Sequence, residues 1–190
     1  MRIALADPPA FTPAYDHELA AALARAGVDV ELVTSHFRFG ESPRADGYER
    51  RELFYPLSSR LFQRSRLRLP LKIAEHPVGL AALRAQRADV LHFQWLVPEL
   101  DVRLLRPHAP SVFTAHDLLP RRTARKQDLW RRLLHRFDRV IVHSERGRDT
   151  LASLGIDARV IPHPVFRSDP ARTDDGRTVL AFGVIRPYKG

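Results

Sequence analysis

Residues 137–164 read FDRVIVHSERGRDTLASLGIDARVIPHP. Arg139–His143 is a strand-length run, and its Val140-Ile141-Val142 centre is apolar on both faces, as a strand covered on both sides must be. Ser144 stands where a helix N-cap belongs, the helix is predicted over Ser144–Leu154, and Gly155 stands at its C-cap. Ala158–Ile161 is a second apolar run, closed by Pro162-His163-Pro164. Strand, capped helix and strand in succession read as one right-handed βαβ unit with parallel strands.

The same alternation extends towards the N-terminus. Strands are predicted at Arg2–Ala6, Val28–Thr34, Arg51–Tyr55, Asp89–Phe93 and Ser111–Ala115. Helices are predicted at Tyr15–Ala26, ending at Gly27, at Leu69–Arg87 with an interruption near Pro77, at Pro98–Arg106 and at Thr123–Phe137. The expected fold is therefore α/β, a Rossmann-like parallel sheet flanked by helices. In such sheets ligands bind beyond the carboxyl ends of the strands. Those ends carry Asp7, Thr34, Gln94, His116-Asp117, His143-Ser144 and His163.

The chain has 190 residues, 44% hydrophobic and 28% charged, which suffices for one sizeable core. It has no cysteine, so disulfides, thiolate metal sites and a cysteine nucleophile are excluded. No apolar run approaches a bilayer span, and the start MRIALAD turns polar too early for a signal peptide, so a cytoplasmic protein is expected. The histidines form no HExxH pattern, and a metal is not expected. No GxGxxG, GxSxG or Walker A motif is present, which argues against dinucleotide cofactors, a hydrolase elbow and a P-loop.

The net charge of +9 is concentrated. Residues 60–72 hold 5 basic and no acidic side chains, and residues 121–139 hold 8 basic and 2 acidic ones. So local an excess reads either as a surface for an anionic partner or as solvated arginine faces. On a helical wheel Leu129, Trp130, Leu133, Leu134 and Phe137 share one face, and Arg125, Arg131, Arg132 and Arg136 the other. A helix packed on the sheet with its arginines in water accounts for that. In the first block Arg60, Arg64, Arg66, Arg68 and Lys72 interleave with leucines and Phe62, which suits an anionic membrane surface or an anionic acceptor.

Four segments together, YDHELAAALARAGVDVELVT (15–34), DVLHFQWLVPELD (89–101), VFTAHDLLP (112–120) and the stretch that opened this section, followed by the tail FGVIRPYKG, resemble the N-terminal half of a family 4 glycosyltransferase of the GT-B fold. The resemblance implies an N-terminal acceptor-binding domain over residues 1–167, a linker at 168–177 and the start of a truncated donor-binding domain at 178–190. Further on it implies another domain, with two glutamates separated by seven residues. The implied reaction moves a sugar from a nucleotide-sugar co-substrate to a carbohydrate or lipid-linked acceptor. It retains the anomeric configuration and uses neither metal nor cofactor, and the chain alone would be inactive.

The resemblance also assigns residues. Arg186 and Lys189 match the cation pair that grips the donor diphosphate, although Val184 rather than arginine follows Gly183. His116 matches the histidine used at the donor sugar, with Asp117 orienting it. Tyr15, Asp16, His17, Gln94 and Asp117 are candidates for the acceptor side, Asp16 being equally readable as a helix cap. His143 and His163 read as structural. The family's adjacent glycines after the first strand are replaced by Pro8-Pro9-Ala10. Localisation follows as cytoplasmic, with peripheral attachment at the inner membrane face. The alternative function is a basic, non-catalytic module for anionic membrane or nucleic acid. Nucleic acid is not expected as a partner, because no aromatic stacking platform accompanies the cations.

Overall fold

The computed structural model describes residues 1–60, 66–118, 126–164 and 175–178. Seven parallel strands form one sheet: β1 (Arg2–Asp7), β2 (Asp29–Ser35), β3 (Glu49–Phe54), β4 (Val90–Phe93), β5 (Ser111–Thr114), β6 (Arg139–Val142) and β7 (Ala158–Val160). Their order is β3-β2-β1-β4-β5-β6-β7. The helices are α1 (Pro13–Arg25), α2 (Arg68–Arg84), α3 (Pro98–Leu104), α4 (Gln127–Leu134) and α5 (Glu145–Ala152). This is the Rossmann-like α/β architecture that the alternation predicted. Strand order reverses between β1 and β4, where Ala6 lies opposite Phe93. The crevice of such a sheet opens there, at the carboxyl ends.

The middle of β1 and most of β6 are apolar because both faces are covered, whereas the edge strand β3 reads ERRELF and exposes its first three residues. Ala4 and Ala6 of β1 join the larger core with Phe54, Phe93, Phe113 and Trp130. Leu5, between them, joins Val30, Leu32 and the α1 residues Ala20 and Ala21 on the other face. Helix α4 buries Trp130, Leu133 and Leu134, each worth roughly 1.5–3 kcal/mol or more. Arg131 and Arg132 stay in water, as the wheel predicted. Arg136 does not: its guanidinium donates to the carbonyls of Asp101, Val102 and Leu105 and so closes the C-terminus of α3.

Helices α3 and α4 end early, at Leu104 rather than Arg106 and at Leu134 rather than Phe137, and α2 and α1 differ as well. Helix α2 runs unbroken through Pro77 and stops at Arg84 rather than Arg87. The proline withdraws one intrahelical bond, but α2 is pressed onto β3. A Cβ on Gly79 would stand 2.3 Å from Cδ1 of the buried Phe54, so only glycine allows this approach. That contact keeps the helix packed on β3 across the defect. Helix α1 starts at Pro13, earlier than Tyr15, because proline at the first helical position needs no N–H partner. Helix α5 begins as expected: Ser144 Oγ accepts from Gly147 N–H at 3.1 Å, and Gly155 takes the left-handed C-cap with φ +74°.

The described part of the expected Thr123–Phe137 helix begins at Gln127. The expected linker and second-domain strand lie outside the described residues except for 175–178. Among the described residues no helix is long and apolar enough to cross a membrane.

Candidate functional site

Strand β5 ends at Thr114, but Ala115 keeps its bond to the Ile141 carbonyl (2.8 Å). The chain then turns, and His116 is carried over the end of the sheet. Gln94, next to the end of β4, is fully buried there. His116 Nε2 lies 2.8 Å from Gln94 Oε1, and His116 Nδ1 lies 3.3 Å from His143 Nε2 at the end of β6. His143 Nδ1 in turn meets the Ile161 carbonyl at 2.9 Å, just past β7. One chain of polar contacts thus crosses the ends of four adjacent strands.

Aromatic rings enclose this chain. Tyr15 of α1 sets its ring edge-on to His116, with centroids 4.5 Å apart, and lies 5.3 Å from the His163 ring. Trp95 stacks on the other side of His116 at 5.4 Å and 18°. Its indole N–H donates to Thr12 Oγ1 (2.8 Å), and Phe11 meets its ring edge-on at 5.2 Å. The β1–α1 loop, without the family's glycines, is therefore held against the site by Phe11 and Thr12.

The proton count in this chain is constrained. A carbonyl only accepts, so His143 Nδ1 carries a proton. With Gln94 Oε1 also accepting, His116 Nε2 carries one too, and His143 Nε2 must donate to His116 Nδ1. His143 is then an imidazolium. With a neutral His143 the middle bond reverses, and Gln94 must turn its amide NH2 towards His116. Gln94 Nε2 is buried and has no partner in the first arrangement. The two states differ by one proton and an amide rotation. Burial, aided by repulsion from His143 and His163, pulls His116 down to about 4, so it is neutral at pH 7. A neutral imidazole there can donate or accept a hydrogen bond without bringing charge to a departing anion.

Asp7 and Asp16 form the second feature. Both are buried, Asp7 at the end of β1 and Asp16 in the first turn of α1. Asp7 Oδ2 accepts from Thr12 N–H at 3.2 Å. Burial raises both carboxyls, and the Asp7 charge pushes Asp16 well above the usual carboxylate range. Of the two, Asp16 holds its proton the more tightly.

Several expectations change. Asp16 is neither an exposed acceptor ligand nor a helix cap, because its carboxyl is shut against Asp7. His17 stands outside the His116 cluster, with its Nδ1 at 2.9 Å from the Tyr48 hydroxyl. Asp117 is exposed, and the His116 nitrogens meet Gln94 and His143, so Gln94 takes the orienting role. His143 and His163, read as structural, belong to the cluster. Tyr15 and Gln94 do stand beside His116. Trp95 was missed, although its place one residue past Gln94 was a usable signal. His92 was also missed: it bonds Thr114 Oγ1 (2.8 Å), and burial pulls it to about 4.

The first basic block divides. Arg60 pairs with Glu52 at 2.7 Å, and Arg66 is exposed. Arg68 and Lys72 turn towards a cavity that they share with Arg38. Arg64, Arg186 and Lys189 lie outside the described residues.

An all-parallel sheet with polar residues gathered beyond the carboxyl ends of β4 to β7 is a Rossmann-like α/β arrangement. The comparisons narrow the class. Residues 15–167 match the model of Glycosyltransferase Family 4, and the chain belongs to that family. The fold is also that of the crystal structure of Os79 from O. sativa in complex with UDP. There the identity is 15% and the TM-score 0.55, over 84% of this chain and 50% of that one. The chain thus spans half the length of that structure. No curated protein matched.

Proposed function

We propose that this chain is the acceptor-side domain of a retaining glycosyltransferase that uses a nucleotide-sugar donor. Residues 178–190 would begin the donor-side domain, and residues 1–190 alone would not turn over. The observation that carries the reading is a neutral His116, fixed by Gln94 and stacked on Trp95, at the mouth of the strand-order switch. Family membership supports sugar transfer, and the UDP bound by Os79 supports a nucleoside diphosphate as the leaving group.

In this reading the donor's anomeric C–O bond breaks while the acceptor oxygen bonds to the same face of that carbon. The acceptor proton passes to the departing phosphate. His116 keeps Nε2 on Gln94 and exchanges the longer contact of its Nδ1 with His143 for a donor-sugar hydroxyl, and Tyr15 and Trp95 wall its ring from water. Arg186 and Lys189 would neutralise the diphosphate, with no metal required. The acceptor, carbohydrate or lipid-linked, would approach from the β1–α1 loop. The exposed Arg66 would contribute to peripheral attachment to an anionic membrane at the cytoplasmic face.

The test is the product's anomeric configuration. The protein containing this chain and the domain beyond it is given a panel of nucleotide sugars with and without chelator, and products are read by proton NMR. Retention, unaffected by chelator, supports the proposal. An inverted product, or activity abolished by chelator, refutes it.

A further inference from the structure

A cavity of about 330 Å³ lies beside the β1–α1 loop, between the segment after β2, the segment after β3 and the start of α2. Arg38, Arg68 and Lys72 line it, with Ser58 in its wall. Among the described residues none of these three cations is paired with a carboxylate, whereas Arg2, Arg51 and Arg60 all are. Nε of Arg38, Nε of Arg68 and Oγ of Ser58 are buried without a hydrogen-bond partner. Two carboxylates of the region are engaged elsewhere. Glu75 accepts from Leu57 N–H (2.7 Å) and Ser58 N–H (3.1 Å), and Asp7 accepts from Thr12 N–H.

Among the described residues these three like charges have no carboxylate in ion-pair contact, and the Asp7 charge favours Lys72 only from farther off. The Lys72 ammonium sits 4.4 Å over the Tyr55 ring, and burial together with Arg68 and Arg38 pulls it down to about 8. Helix α2 begins at this cavity with no acidic residue in its first turn, so its dipole adds to the positive field. Backbone strain gathers here as well. Ala10 (φ 52°) and Tyr55 (φ 53°), the only non-glycine residues with positive φ among those described, both border the cavity. Its rim is apolar: Phe39 and Leu69, which line it, are 79% and 66% exposed.

We propose that this cavity binds a phosphate group through Arg38, Arg68, Lys72 and Ser58, and that this phosphate belongs to the acceptor. Three cations and a hydroxyl suit an oxyanion with several acceptor oxygens better than a carboxylate. The exposed Phe39 and Leu69 suit an apolar group attached to it. The acceptor assignment rests on the glycosyltransferase reading; the phosphate site does not.

Binding is measured by calorimetry on the 190-residue chain with inorganic phosphate and glycerol 3-phosphate. A second arm uses phosphatidylcholine vesicles with and without phosphatidic acid. The proposal expects saturable binding in at least one arm, weakened about tenfold or more by Arg68→Gln or Lys72→Gln, since each removes one charge-assisted contact. Arg131→Gln and Arg132→Gln, in the other basic block, leave it unchanged. Binding of the soluble ligands identifies a free phosphorylated acceptor, and binding of phosphatidate vesicles alone identifies a lipid. As a check independent of variant folding, phosphate must raise the melting temperature of the unaltered chain more than chloride at equal ionic strength. No saturable binding in either arm, or equal weakening by the Arg131 and Arg132 variants, overturns the site. Phosphate binding with sugar transfer by the longer protein insensitive to Lys72→Gln overturns only the acceptor assignment.

Discussion

Replacing His76 by alanine tests a buried network that positions the floor of the phosphate cavity. Tyr55, His76 and Asp101 come from the end of β3, from α2 and from α3, and all three are at most 2% exposed. The Tyr55 hydroxyl donates to His76 Nδ1 (2.7 Å), and His76 Nε2–H donates to Asp101 Oδ1 (2.8 Å). Asp101 Oδ2 accepts from Val97 N–H (2.5 Å). Every polar atom is satisfied by this one assignment of protons. Alanine at 76 removes two buried hydrogen bonds, leaves a hydroxyl unpaired and leaves a buried carboxylate one partner short. Removing a buried hydrogen bond from a neutral imidazole to a carboxylate costs about 1.5–3 kcal/mol. The neutral Tyr55 bond adds about 1 kcal/mol. A loss of about 3 kcal/mol lowers the melting temperature of a chain this size by roughly 6–12 °C.

The assay is urea unfolding of the parent, His76→Ala, Tyr55→Phe and the double variant. Tyr55→Phe alone should cost about 1–2 kcal/mol, because His76 Nδ1 loses its donor. The double variant should cost about 1 kcal/mol or more below the sum, since the residues share one network. A loss under about 1 kcal/mol for His76→Ala, or strict additivity in the cycle, would refute the network as drawn.

Three further outcomes are expected. Gly79→Ala, which would stabilise an open helix by about 1 kcal/mol, should destabilise this one by about 1–3 kcal/mol because of Phe54; a higher midpoint in urea would contradict the α2–β3 packing. His92 is a base whose folded pKa, about 4, lies below its unfolded value of 6.5. The unfolded chain takes up the proton first, so stability is lost as pH falls from about 6.5 to 4, by about 3 kcal/mol in all. Melting curves of His92→Gln should show a shallower acid slope than the parent, and an equal slope would count against a buried neutral His92. Asp16 has the opposite sign. Its folded pKa is raised, so its stabilising contribution is complete below pH 3.8 and is lost as pH rises through the folded value. Asp16→Asn keeps a donor to Asp7 and should gain stability on the parent as pH rises; a gain that instead grows towards acid pH would show that Asp16 is ionised.

The order of elements was legible because both signals are local. Val140-Ile141-Val142 is apolar on both faces, and Ser144 and Gly155 cap the helix between the strands. Helix α2 was misread at Pro77 because its continuity depends on Gly79 meeting Phe54, a contact distant in sequence. The strand-end rule found Gln94, His116, His143 and His163, but sequence alone did not show that His116 pairs with Gln94 rather than with its neighbour Asp117. Asp16 reads from sequence as an acceptor ligand or a helix cap, and only the fold brings Asp7 against it. The first basic block read as a uniform run. Its division between Arg60, spent on Glu52, and Arg68 and Lys72, turned to the cavity, depends on Arg38 arriving from another loop.

The account rests most heavily on His116. The direct measurement is kcat/KM for sugar transfer from the preferred nucleotide sugar, made with this chain joined to the donor-side domain proposed above, for parent and His116→Ala. A group that stabilises the transition state by hydrogen bonding is worth about 100-fold or more. The account predicts a drop of that size with the melting temperature largely kept. A variant with parent-like kcat/KM would contradict it and remove the strand-end cluster from the transfer centre.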